Sequence, residues 1–415
     1  MSAAAPGAAQ LVDAASAGSV LVFGSLPPEG RDLDLLVRPA AEAAAAHALA
    51  SAGFLHHGVE WIRFRPWPPE VVDLVPASAW GLPAAELDSL FAEALPVEPF
   101  STLVRPAPHH ALLVLARLAA GGGLSPGRRR RVEAALAESA TAWDDAARRA
   151  GRWGASAKLE ALRAAYEERG APERGLARRG PRVLRRLRRP AVVALSGIDG
   201  SGKSTQSAAV VEALALLGHD AVVEWIPLGS NEWLDRLATP AKRLLARRGF
   251  QPPPRREGEP RSGKDRNPGT VLRQRNAAVN EAWASLVAVA NGVAHRRQVL
   301  RHAARGRVVV FDRYVLDSAV RLRFLYGEPR RFRAQAFVVR LLSPRPVVAF
   351  FLALDPDDSL ARKDDRWSPG DLASQARLYE EEWERHGAVR LDARRHPEDL
   401  AAEVAERVWR ALRGA

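Results

Sequence analysis

The stretch Gly197-Ile198-Asp199-Gly200-Ser201-Gly202-Lys203-Ser204-Thr205 has the residue types and the spacing to hold a polyphosphate. Glycines at 197, 200 and 202 let the backbone turn its N–H groups toward anionic oxygens. The apolar run "VVALS" precedes the loop and "STQSAAVVEALALLG" follows it, the strand–loop–helix setting that Gly-x4-Gly-Lys-Ser requires. Lys203 is placed for the outer phosphates, and the Ser204 hydroxyl for Mg2+. Lysine occurs elsewhere only at Lys158, Lys242, Lys264 and Lys363, with arginine carrying the remaining positive charge, so a lysine inside this loop is not incidental. The expected cofactors are ATP and Mg2+, bound by Gly197, Gly200, Ser201, Gly202, Lys203 and Ser204.

Further candidates lie downstream. "VVVFDRY" puts Asp312 and Arg313 just past a buried-type strand, where strand ends converge beside such a loop. Asp312 is a candidate Mg2+ ligand through water, and Arg313 a candidate for an anionic group on the acceptor. Asp199 lies inside the loop and faces phosphates, so it calls for the metal or an acceptor hydroxyl as partner. "LALDPDDSLARKDDRW" turns at Pro356 into a helix carrying Arg362, Lys363 and Arg366. Clustered cations there suit a lid over the transferring phosphoryl group. The expected catalytic set is Lys203, Asp199, Asp312, Arg313, Arg362 and Arg366.

A second constellation lies in the first half. "VLVFGSLPPEGRDLDLLVRP" reads as strand, Gly24-Ser25, turn, then Asp32-Leu33-Asp34 on a second strand. Residues i and i+2 on a strand share a face, so Asp32 and Asp34 can share metal ions. Asp73 in "VVDLVP" offers a third strand carboxylate. His109-His110 and His56-His57 have no third ligand at metal-binding spacing, which favours capping or surface roles.

These groups need scaffolds, and the pattern around them supplies two. Up to about residue 120, short apolar runs flank the Ala-rich helical stretch Ala40–Ala52. Helical periodicity with the breaker "GGGLSPG" covers about 106–174, and "ERGLARRGPRVLRRLRRP" follows with eight arginines, read as a solvated linker helix rather than a phosphate-binding strip. From 191 on, strand candidates at Val192–Ser196, Ala221–Trp225, Val308–Phe311, Val347–Leu354 and Val389–Leu391 alternate with helices. That alternation predicts an α/β fold: a parallel sheet with helices on both faces, preceded by an α+β domain with a helical tail. The expected domains are 1–120, a helical extension and basic linker at 121–189, and 190–415 with a mobile Pro-rich insertion at 247–269.

Composition narrows the function classes. A chain of 415 residues is too long for one ordinary core. With no cysteine, disulfides and thiolate metal sites are excluded, which fits a reducing, cytoplasmic setting. The longest apolar run, "VVAFFLAL", is too short to span a bilayer, and "MSAAAPGAAQ" lacks the basic and apolar regions of a signal peptide, so no membrane partner is expected. A net charge of +13 fits polyphosphate binding and also admits nucleic acid, without the interleaved aromatic–basic pattern of single-strand binders.

The motifs at 190–415, in this order, resemble the thymidylate kinase family: Gly-x-Asp-Gly-x-Gly-Lys-Ser-Thr, Asp-Arg-Tyr, the basic segment after a strand, and a late "RLDA" strand before the final helix. The resemblance implies a P-loop kinase in which Lys203, Ser204 and Thr205 bind ATP and Mg2+. It places Asp199, Asp312 and Arg313 at the acceptor and metal, with Arg362 and Arg366 as lid cations. Three departures point away from thymidylate itself. "PLGSNEW" replaces the family's Pro-Gly-Gly-Thr stretch, its acceptor-binding arginine falls on Asn291, and its base-reading glutamine falls near Leu322. The first half resembles polymerase-β-type nucleotidyltransferases. That resemblance implies that Gly24 and Ser25 hold nucleotide phosphates and that Asp32, Asp34 and Asp73 hold Mg2+, in a domain that is either active or a retained fold. The leading expectation is a kinase acting on a small phosphorylated or hydroxylated acceptor. Nucleic-acid end processing and a non-catalytic nucleotide sensor are the alternatives. The oligomeric state is left open, with a dimer compatible.

Overall fold

The computed structural model describes residues 7–24, 32–118, 124–168, 191–229, 239, 276–326, 332–362 and 367–414. Ser25, Arg366, the arginine-rich stretch 173–190 and the insertion at 247–269 lie outside them. The chain divides into two compact units, residues 1–185 and 186–415.

The first unit is α+β. Strands β1 (Val20–Val22), β2 (Leu33–Val37), β3 (Leu55–His57), β4 (Glu60–Arg63), β5 (Glu70–Pro76), β6 (Leu95–Pro96) and β7 (Leu103–Arg105) form a mixed sheet in the order β3-β4-β5-β2-β1-β7-β6. Alternation sorts β2 into two faces. Leu33, Leu35 and Val37 enter a core with α1 (Ala8–Ala15) and α2 (Pro39–Ser51), which contributes Ala41, Ala45 and Leu49 at four-residue spacing. Leu36, and with it Asp34, faces the other way. Leu36 packs in a core built from α3 (Ala84–Ala92), α4 (Pro108–Leu118), α5 (Pro126–Glu138), α6 (Ala142–Ala150) and α7 (Ser156–Glu167). Helix α5 starts where the sequence signals it: Pro126 at the first position and the Ser125 hydroxyl accepting from Arg128 N.

The second unit is α/β. Strands β8 (Val192–Ser196), β9 (Ala221–Glu224), β10 (Val308–Asp312), β11 (Val348–Ala353) and β12 (Val389–Asp392) are all parallel, in the order β12-β11-β8-β10-β9. Both faces are covered, which is why these strands read as continuous apolar runs. Val193, Leu195, Val308 and Val310 pack with α8 (Lys203–Leu216), α10 (Val315–Tyr326), α13 (Pro369–Glu382) and α14 (Pro397–Gly414). Val192, Ala194, Val309 and Phe311 pack on the other face with α9 (Ala277–Ala303) and α11 (Arg333–Leu342). The short helix α12 (Pro356–Arg362) follows β11. Strand β8 sits between β10 and β11, so the loops after these three strands open onto one crevice where the winding reverses. Among the described residues, no helix is long and apolar enough to cross a membrane.

Candidate phosphate-binding site

Strand β8 hands over to the glycine-rich loop at Gly197. A Cβ there would meet the Leu352 carbonyl at 2.7 Å, at a φ of +153°, so only glycine fits between β8 and β11. Gly200 and Gly202 are left-handed at +82° and +85°, which bends the loop into a cradle that opens into α8. No side chain caps the start of α8, so its leading N–H groups are available to an anion. Lys203 is buried and lies back along the loop, its Nζ donating to the Ile198 carbonyl at 2.6 Å and to Ser201 Oγ at 3.3 Å. Burial, reinforced by the nearby Arg313 charge, brings its pKa down to about 8.

The metal-side pair forms across the sheet. Parallel register sets Asp312 against Leu195, at the C-terminal edge of β8 and β10. There the Ser204 hydroxyl donates to Asp312 Oδ2 at 2.6 Å. Asp312 Oδ1 is buried and has no hydrogen-bond partner among the described residues. A buried, unpaired carboxylate oxygen is costly and calls for a partner. One hydroxyl and one carboxylate beside a phosphate cradle form the hard oxygen donor set that Mg2+ prefers, so these residues fit the cation.

Arg313 is the one non-glycine residue with positive φ (+82°) among the described residues. Strain of this kind persists when the surroundings over-determine it. Its N–H donates to the Leu195 carbonyl at 3.0 Å. The next residue, Tyr314, is stacked on Phe311 (4.5 Å), donates its hydroxyl to the Pro344 carbonyl, and donates its N–H to Asp317 Oδ2 at 3.0 Å. The Arg313 guanidinium is ion-paired to Asp199 and lies 3.7 Å from Asp317 Oδ1. Burial alone would lower its pKa; Tyr379 and the carboxylates of Asp199, Asp317 and Asp312 outweigh that and raise it.

Asp199 therefore meets Arg313, and its Oδ2 also accepts from the Trp367 indole at 2.7 Å. Its carbonyl accepts from Ser359 Oγ on α12, which ties the loop to that helix. Asp317 in turn accepts from the Tyr379 hydroxyl at 2.6 Å, and burial followed by that carboxylate pushes the phenol well above its usual range. Ser359, Asp317, Trp367 and Tyr379 escape sequence reasoning, because nothing local marks Ser359 and Trp367, which meet Asp199 across 160 and 168 positions, or Tyr379, which meets Asp317 across 62. Arg362, at the end of α12, donates to the Ala393 carbonyl at 3.2 Å.

Asn291 and Leu322 are both fully buried. Asn291 bridges helices, donating to Ser318 Oγ at 2.9 Å and lying 3.3 Å from His295 Nε2. His295 Nδ1 contacts Ser343 Oγ at 2.9 Å, and its ring packs on Tyr314 at 4.4 Å. Burial pushes the His295 pKa down to about 3, against a backbone contact with Ile226. The unfolded chain binds this proton near 6.5 and the folded one does not, so stability falls as pH drops from about 6.5 toward 3. Urea titrations at stepped pH should show that slope for the second unit, and His295→Gln should flatten it. An unchanged slope in the variant would assign the acid sensitivity elsewhere.

In the first unit, Asp32, Asp34 and Asp73 come together with ligand oxygens all within 4.8 Å of one another. Asp34 and Asp73 are direct partners in the parallel β2–β5 ladder. Gly24 is needed beside them, because a Cβ there would lie 2.1 Å from Asp34 Oδ2. Arg131 on α5 donates to the Phe23 carbonyl; burial lowers its pKa and the Asp34 charge works against that. The structure corrects one expectation: His109 and His110 do have a third neighbour, Glu93, with ligand atoms within the same 4.8 Å. Arg149 already binds that carboxylate at 2.8 Å.

No family model matches the chain. It is 26% identical over 171 residues to a thymidylate kinase of Ruegeria pomeroyi, a match covering 40% of this chain and 64% of that relative. It is 25% identical over 233 residues to a probable thymidylate kinase of Pyrobaculum aerophilum, covering 54% of this chain and 98% of the relative. The chain is thus distantly similar to P-loop nucleotide kinases.

Proposed function

We propose that this chain is an ATP- and Mg2+-dependent phosphotransferase of thymidylate-kinase-like type. It would move the γ-phosphoryl group to a small phosphorylated or hydroxylated acceptor. The observation that carries the reading is the Ser204–Asp312 pair, with its unpaired Asp312 oxygen, beside a glycine loop in which a Cβ at Gly197 would clash with the Leu352 carbonyl. Under this reading, Gly197, Gly200, Ser201, Gly202 and Thr205 shape and line the phosphate cradle. Lys203 exchanges its contacts with the loop for the outer phosphates. Ser204 and Asp312 hold Mg2+, whose charge offsets that of the transferring group. Arg313, held by Asp199, would serve the acceptor side, and Arg362 and Arg366 would act as lid cations on the transferring group. Transfer needs no covalent enzyme intermediate: the acceptor oxygen forms the new P–O bond as the bond to ADP breaks, and the residues supply position and charge.

Two features support an acceptor other than thymidylate. The residues aligned with the family's acceptor arginine and base-reading glutamine, Asn291 and Leu322, are buried in helix packing. Incubation with γ-labelled ATP and a panel of nucleoside monophosphates, sugars, sugar phosphates and oligonucleotides tests the reading. Label in a small molecule is the expected result. Label confined to oligonucleotides would favour end processing, and ATP binding without transfer to any of them would favour a sensor.

The first unit supports a second reading as a nucleotidyltransferase-like domain, because its three carboxylates converge as a two-metal chemistry requires. Gly24 and Ser25 would approach the nucleotide phosphates. Asp32→Asn with Asp34→Asn is expected to weaken Mn2+ binding to this unit by about 10- to 100-fold. Titration of free Mn2+ by electron paramagnetic resonance reads this directly, and superimposable isotherms would refute a metal site there.

A further inference from the structure

Helix α10 carries two arginines with opposite fates. Arg323 is buried, and its two terminal guanidinium nitrogens are paired, one with Glu382 at 2.6 Å and the other with Glu381. Arg321 lies two residues earlier and is the only residue of 315–324 that is not buried. It makes no hydrogen bond or ion pair among the described residues. Its neighbours explain why. Arg313, Asp317 and Arg321 recur at four-residue spacing, so they line one face where the chain enters and follows the helix.

The carboxylates within electrostatic reach of Arg321 are those of Asp199 and Asp317, and both are already used. Asp199 is held by Arg313 and Trp367. Asp317 is held by the Tyr379 hydroxyl and the Tyr314 N–H, with Arg313 at 3.7 Å. Burial, then the Arg313 charge, lower the Arg321 pKa, and Tyr379, Asp199 and Asp317 offset that only in part. A half-buried guanidinium without a carboxylate is a poor structural element and a good anion receptor.

We propose that Arg321 is the residue that selects an acceptor bearing an oxyanion group, a phosphate monoester or a carboxylate, on the face of α10 next to Arg313. The proposal rests on the kinase reading for the word acceptor, but the anion site itself does not. Arg313 is committed to Asp199 and Asp317, which leaves Arg321 to meet the incoming anion with two parallel N–H donors.

The test is anion binding to the full chain in a Lys203→Ala background, where the phosphate loop is weakened. Inorganic phosphate and acetate are titrated separately, followed by phosphorus-31 and carbon-13 line broadening. One of them should bind, and adding Arg321→Ala should weaken it by about 10- to 100-fold, with Arg321→Lys retaining part of the affinity. Tighter phosphate binding assigns a phosphorylated acceptor, and tighter acetate binding a carboxylated one. Equal affinity with and without Arg321, or no binding of either anion before its removal, overturns the proposal. Failure of ATP and Mg2+ to bind the wild-type chain would instead remove the kinase reading and leave the anion result standing.

Discussion

Lys203→Ala is expected to lower phosphoryl transfer by roughly 10²–10³-fold, the scale of losing one preorganised charge donor to a transition state. The reasoning starts with burial. Lys203 is held inside the loop by the Ile198 carbonyl and Ser201 Oγ, at a site that brings its pKa down to about 8. Keeping an ammonium there costs free energy that a neutral methyl would not. If this residue served only to hold the loop, its removal would lower the melting temperature, and any loss of transfer would track that unfolding. A chain using it for phosphates keeps its fold and loses the reaction. The γ-label assay together with a thermal melt separates these cases: full activity in a folded variant rules the lysine out of the chemistry.

The second large effect is at the metal. Asp312→Asn keeps the size of the side chain and one oxygen, so the Ser204 hydroxyl retains a neighbour. It removes the charge that the unpaired oxygen carries beside the cradle. Loss of a group that holds a metal through a ligand such as water costs about 10- to 100-fold in metal affinity. The Mg2+ concentration for half-maximal transfer should rise by that factor, and saturating Mg2+ should restore part of the rate. An unchanged Mg2+ dependence would mean that Asp312 serves only to hold the end of α8 against β10.

The sequence carried the local parts of this account. Gly197, Gly200, Gly202 and Lys203 lie within seven residues, and their meaning depends only on a strand before and a helix after. The five strands of the second unit were readable because strands covered on both faces are apolar without interruption. What no window of the sequence contains is the strand order β12-β11-β8-β10-β9, which brings Asp312 to Ser204 and delivers Asp199 to Arg313. Tyr379 and Trp367 look like core aromatics by pattern, and only the fold turns their polar atoms toward Asp317 and Asp199. Glu93 likewise joins His109 and His110 by packing rather than spacing. Asp34 and Asp73 were foreseeable as strand carboxylates, yet their pairing depends on β2 and β5 running parallel and in register. Arg321 was hidden for the opposite reason: in an arginine-rich chain, a cation is conspicuous only when every other group nearby is paired.

The central claim is that residues 197–205, with Asp312, grip the phosphates of ATP through backbone amides, one ammonium and Mg2+. Calorimetric titration of the folded wild-type chain with ATP, with and without Mg2+, tests it most directly. Saturable binding at one site, tightened by Mg2+ and weakened by Lys203→Ala, is the expected result. No saturable heat from the wild-type chain, or binding indifferent to both Mg2+ and Lys203, would contradict it.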